Sequence, residues 1–138
     1  FRLLGPVSAR FRGQAVNLGG PKARSLVALL LLSVDRIVST NALVEGLWGE
    51  EAPAASVGTL QVHVGNVRKA LAVAAPGSSP LVTQAPGYLM RVPAATVDLH
   101  RFRRLIGEEQ RAGVDAGRAR EVRAEALEQW TGSPLDGL

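Results

Sequence analysis

A chain of 138 residues with 46% apolar content can bury one core, or one small domain plus part of a second. It has no cysteine, which excludes disulfides, thiolate metal sites and thiol nucleophiles. It also has no run of about 18 apolar residues of the kind that spans a bilayer. The net charge of +4 is uneven: residues 1–97 hold nine Lys/Arg against four acids, whereas residues 98–138 hold seven against eight. A balance of +5 followed by −1 points to an anionic partner for the first part alone, or else to an ordinary solvated surface. The chain opens at Phe1 without an initiating methionine and is read as a piece of something longer. Its Ala, Gly, Val and Arg bias resembles the composition of proteins from high-GC bacterial genomes.

In chain order, three short strands are expected at Phe1 to Gly5, Val7 to Phe11 and Gln14 to Leu18, separated by the turn signals Gly5-Pro6 and Arg12-Gly13. Gly19-Gly20-Pro21 opens a first helix, with Leu26, Leu29, Leu30 and Val34 at helical spacing. Its apolar run from Leu26 to Leu32 is too short for a membrane span and follows Lys22 and Arg24, so it reads as a buried helix and not a signal segment. A short extended piece, Arg36 to Val38, leads to Ser39, the expected N-cap of a second helix over Thr40 to Leu47. Leu43, Val44 and Leu47 are its core face, and Gly49 stops it after Trp48. A third helix is expected from about Ala54, with Val57, Leu60, Val64, Val67 and Leu71 as one apolar stripe. Pro76 to Pro80 forms a loop. Leu81 to Thr83 and Tyr88 to Val92 then flank Gln84-Ala85-Pro86-Gly87 as a hairpin. After a linker at Pro93 to Thr96, Asp98 caps a fourth helix carrying Leu99, Phe102, Leu105 and Ile106, which Gly113 breaks. Asp115 to Trp130 is a fifth, with Val122, Ala126, Leu127 and Trp130 inward, and Thr131-Gly132-Ser133-Pro134 ends it.

Catalysis has little support. His63 and His100 fall in different expected domains and have no paired acid or thiol nearby. Gly19-Gly20-Pro21-Lys22 lacks the spacing of a phosphate loop, and its proline removes an N–H that such a loop needs. No metal-ligand spacing occurs. The chain is therefore read as a non-enzyme without a cofactor or metal.

The order of strands, three helices and a hairpin resembles a winged helix of the OmpR/PhoB type, which carries an extra N-terminal sheet. Leu18-Gly19-Gly20-Pro21-Lys22-Ala23-Arg24, Leu43 to Gly49 (LVEGLWG), Thr59 to Leu71 (TLQVHVGNVRKAL) and Pro86-Gly87-Tyr88 resemble the Streptomyces antibiotic regulatory protein family. Val97 to Phe102 (VDLHRF) and Ala126 to Leu135 (ALEQWTGSPL) resemble the opening of the helix-hairpin activation domain that follows in that family. The resemblance implies a mainly α fold with small antiparallel sheets (α+β). A winged helix-turn-helix over 1–93 would be followed from 97 to 138 by the start of a helical domain like a tetratricopeptide repeat. It further implies a cytoplasmic, nucleoid-associated activator of secondary-metabolite genes in an actinobacterium. Such a protein binds double-stranded DNA at direct repeats and recruits RNA polymerase with its sigma factor; dimerisation on DNA is left open, and no membrane is involved. Asn66 and Gln84 depart from the family, which usually has a basic residue at the first and commonly arginine at the second. A protein-interaction module with weak or no DNA binding is therefore the alternative.

With the third helix taken as the recognition helix, Ala55, Thr59, Val62, Asn66 and Lys69 fall opposite the apolar stripe, and Gly58, His63 and Gly65 on its flanks. Val62 can meet a thymine methyl, and Asn66 has the donor and acceptor pair that reads adenine. Thr59 and His63 can reach a base edge or a phosphate. Lys22 and Arg24, at the start of the first helix, are read as phosphate contacts, with Arg68, Lys69 and Arg91. Gln84 and Gly87 belong to the wing. The bland alternative for every one of these is a solvated surface with one exposed valine. Trp48, Tyr88 and Trp130 are read as core anchors.

Overall fold

The computed structural model describes residues 1–77, 80–111 and 116–135. They divide into two compact units. One comprises Ser8–Val92; the other joins Phe1–Val7 to the described residues from Pro93 onward.

In the Ser8–Val92 unit, strands β1 (Ala9–Phe11) and β2 (Gln14–Val16) form an antiparallel hairpin in which Ala9 faces Val16. Helix α1 follows at Pro21–Leu32. Its N-cap, Gly20, offers no side-chain hydrogen bond, a deficit of about a few tenths of a kcal/mol relative to a capping serine or aspartate. Burial of Leu26, Val27, Leu30 and Leu31, at about 1.5–3 kcal/mol each, outweighs it. Strand β3 (Val38–Ser39) runs straight into α2 (Thr40–Trp48), where the Ser39 hydroxyl accepts from the Ala42 N–H at 3.1 Å. Gly49 ends α2 at φ +79°, a conformation that a residue with a Cβ adopts at a cost. Helix α3 spans Ser56–Ala74, and β4 (Leu81–Gln84) and β5 (Gly87–Met90) form the second hairpin. β5 is central in the sheet order β3-β5-β4, pairing Val38 with Tyr88 and Leu81 with Met90. The three helices pack against one another around Leu26, Leu30, Leu43, Leu60, Val64 and Val67, and Leu81, Leu89 and Met90 are buried in the sheet beside them. This is an α+β winged-helix fold.

The other unit holds a 3-10 turn (Ala94–Thr96), α4 (Asp98–Arg111) and α5 (Ala116–Glu128). Leu105, Val122 and Ala126 are its buried centre, with Phe102 and Ile106 packed on it. Trp130 meets Phe102 edge-on at 5.4 Å between ring centroids.

Four expectations need correction. Phe1 to Gly5 is not a strand beside β1; it lies with the α4–α5 helices, so 1–93 is not one contiguous unit. There Asp98, 5% exposed, accepts from the backbone N–H groups of Leu3 (2.6 Å) and Leu4 (2.9 Å) as well as that of Leu99 (2.8 Å). Helix α3 starts at Ser56, two residues late, and its first turn is rotated from the expected phase: Ser56 is buried and Val57 is 46% exposed. The Ser56 hydroxyl donates to the Pro53 carbonyl at 2.6 Å, so burying it leaves no polar group unmatched. Leu127 points outward, 61% exposed. Trp130, 39% exposed, is only half an anchor. The expected break at Gly113, the start at Asp115 and the serines of the Pro76–Pro80 loop lie outside the described residues.

Candidate nucleic-acid interface

Helix α3 owes its orientation to Leu60, Val64, Val67 and Leu71, all buried. Their spacing of three and four residues fixes which side is left outward. On that side Gly58, Thr59, Gln61, Val62, Asn66 and Lys69 are exposed, and Val62 is 60% so. The helix carries no acidic residue along its whole length. Its outer surface therefore offers amides, a hydroxyl, a methyl pair and an ammonium, without a carboxylate to repel a polyanion.

The four expected base readers are not equivalent. Val62 and Asn66 stand clear of the protein. The Thr59 hydroxyl donates back to the Ala55 carbonyl at 3.2 Å, so its proton is engaged although its lone pairs are not. His63 is half-buried, its ring centroid 6.4 Å from that of Trp48 and tilted by 32°. It sits at the margin facing α2 rather than on the outward crest. Gln61 was passed over in the sequence. The signal was available, since it lies three residues after Gly58 and four before Gly65 on the outward side.

The expected phosphate ligands divide further. Lys22 donates to the Leu47 carbonyl at the end of α2, and its ammonium lies 5.6 Å from the Trp48 ring centroid. A cation at a helix C-terminus over an indole is already well placed, so this lysine holds α1 to α2. Arg68 bonds the Leu81 carbonyl through Nε at 3.2 Å and the Thr83 hydroxyl through Nη2 at 2.8 Å, tying α3 to β4. Arg24 is partly exposed, with a buried Nε that lacks a hydrogen-bond partner among the described residues. Lys69 and Arg91 are exposed. Within the wing, Gln84 is exposed at the hairpin end, whereas Gly87 is buried. A Cβ on Gly87 would lie 2.0 Å from the Val38 carbonyl oxygen and 2.7 Å from Ser39 Cα. This glycine is required by β3–β5 pairing, not by a ligand. Among the described residues, no group of His and acidic side chains could hold a metal ion, and no helix is long and apolar enough to cross a membrane.

The family model described as "Transcriptional regulatory protein, C terminal" matches residues 13–90, more than half of the chain. Transcriptional regulatory protein EmbR of Mycobacterium tuberculosis is 37% identical over 148 residues, covering 100% of this chain and 36% of EmbR. Regulatory protein AfsR of Streptomyces coelicolor is 34% identical over 141 residues, which is 14% of its length. Regulatory protein DnrI of Streptomyces peucetius is 34% identical over 143 residues, 52% of its length. The solved structure titled "Mycobacterium tuberculosis EmbR in complex with low affinity phosphopeptide" superposes with a TM-score of 0.92 at 33% identity, over 99% of this chain and 37% of that one. The chain thus spans only a part of each relative. From the match over 13–90 and these relatives, the chain belongs to the family of transcriptional regulatory protein C-terminal domains, in the Streptomyces antibiotic regulatory protein group of transcription regulators.

Proposed function

We propose that this chain binds double-stranded DNA with α3 in the major groove and the β4–β5 hairpin on the adjacent groove or backbone, as the sequence-reading part of a transcriptional activator. The observation that carries this reading is the outward face of α3, where Val62 and Asn66 stand exposed beside Lys69 on a helix without acids. Val62 is assigned to a thymine methyl and Asn66 to adenine N6 and N7. Thr59 and His63 serve as marginal contacts. Lys69, Arg91 and Arg24 are assigned to phosphates, which position the helix without reading sequence. Gln84 is the wing residue nearest the DNA. Lys22 and Arg68 act mainly by fixing α1, α2 and the hairpin relative to α3. In this reading the α4–α5 unit begins an activation domain, and the longer protein recruits RNA polymerase and its sigma factor at direct-repeat promoters on the nucleoid.

A salt titration of binding to duplex DNA tests it. About three to six phosphate contacts give a slope of log K against log salt of roughly −3 to −5. No binding at low salt, or affinity indifferent to salt, rejects the reading. The internal bonds of Lys22 and Arg68 favour a second reading, a protein-interaction module that has given up DNA, because they withdraw two of the expected cations. The same titration separates the two.

A further inference from the structure

We propose that Gln61 is a specificity-determining residue that reads an adenine on the hairpin side of α3. This rests on the DNA-binding reading above and extends it to a residue outside the expected set. At about 100° per residue, the outward crest of α3 passes through Lys69, close to Gly58 and Val62. Asn66 lies about 60° to one side of that crest and Gln61 about 80° to the other. The sides are identified by their neighbours. His63, on the Asn66 side, faces Trp48 of α2. Arg68, on the Gln61 side, bonds Leu81 and Thr83 of β4. The only two carboxamides of α3 therefore straddle Val62, one toward α2 and the other toward the hairpin.

The Gln61 side chain is exposed and makes no hydrogen bond among the described residues. Its neighbours along the outer surface, one turn away in each direction, are Gly58 and Gly65. A Cβ at either glycine would meet nothing within 4 Å, so the surface on both sides of Gln61 along the helix is open. A glutamine amide presents the same donor and acceptor pair as asparagine one methylene farther out. From a position turned farther off the crest, that extra length is what reaching a base edge requires. Paired with adenine N6 and N7, it reads a base pair distinct from the one under Asn66.

The test is selection of binding sites from randomised duplex DNA by the 138-residue wild type, Gln61→Ala and Gln61→Glu. The wild type is expected to select two adenine positions. Gln61→Ala should lose preference at one of them alone and bind the best wild-type site about 5- to 150-fold more weakly. Gln61→Glu, which can only accept, should turn that position toward cytosine, whose N4 donates. Placing 7-deazaadenine there should weaken wild type and leave Gln61→Ala unchanged. If the wild type selects a motif that neither variant alters, this assignment is overturned while the DNA-binding reading stands. If the wild type selects no motif, both fall. Gln61 is exposed, and an unchanged circular dichroism spectrum shows that each variant is folded.

Discussion

Removing the Asp98 carboxylate should unfasten the N-terminal segment from the helical unit. Asp98→Ala deprives the Leu3 and Leu4 N–H groups of their acceptor, and both residues are only 1% exposed. A buried donor left unmatched costs about 1–3 kcal/mol. Two of them, with some relief from water entering the space, give an expected loss of about 2–4 kcal/mol. The third bond, to the Leu99 N–H at 2.8 Å in the first turn of α4, adds a loss of the size of a helix cap, about 1 kcal/mol. Asp98→Asn keeps one acceptor oxygen but turns an NH2 toward a donor, so it should cost about half as much as alanine. Because the chain forms two compact units, a single melting temperature is a blunt probe. Residue-resolved hydrogen exchange is the better assay. In Asp98→Ala the amides of Leu3 and Leu4, and those of α4 and α5, should lose protection, while those of α3 keep theirs. Retained protection at Leu3 and Leu4, with a stability within about 1 kcal/mol of wild type, would refute the reasoning.

Gly87→Ala should abolish the wing, since the added methyl cannot coexist with the Val38 carbonyl 2.0 Å away; a loss above about 3 kcal/mol and of the β-sheet exchange protection is expected. Lys69→Ala should weaken DNA binding on every sequence and flatten the salt slope by about one unit. Lys22→Ala should instead lower the melting temperature and alter Trp48 fluorescence, with little change in slope, because its ammonium is engaged by Leu47 and Trp48. Arg68→Ala should release β4 from α3, costing about 1–3 kcal/mol and raising exchange in the hairpin. Gly65→Ala should stabilise α3 by about 0.5–1 kcal/mol in a denaturant titration, as the methyl enters open space. If DNA passes close to this face, the same variant binds it more weakly.

The starts of α1 and α2 and the end of α2 were legible because they are set by particular residues. Gly20-Pro21 opens α1, the Ser39 side chain caps α2, and Gly49 takes the positive φ that ends it. The phase of α3's first turn was not legible. Apolar spacing counts residues from one another, not from the helix start, and a serine bonded to its own preceding turn can occupy a core position as well as Val57 can. The outward residues Val62 and Asn66 followed from periodicity alone. The behaviour of Lys22, Arg68 and His63 did not, because it depends on partners 25, 13 and 15 residues away that only the fold brings near. Phe1 to Gly5 was expected as a strand and is not one. The acceptor that holds Leu3 and Leu4 stands 95 and 94 residues along the chain, and only the fold brings it near.

The discontinuous helical unit has a practical consequence for anyone exchanging operator specificities between regulators of this kind. The Ser8–Val92 segment leaves the other unit after Val7 and returns to it at Pro93, so it is an insert with two seams. A chimaera joined once, near residue 97, would import a foreign Leu3-Leu4 strap against the resident Asp98 and inherit a mismatched clamp. A cassette cut at both seams leaves that clamp native and moves α1, α2, α3 and the hairpin together. Recombination between paralogous genes faces the same arithmetic: two crossovers preserve the helical unit, and one divides it.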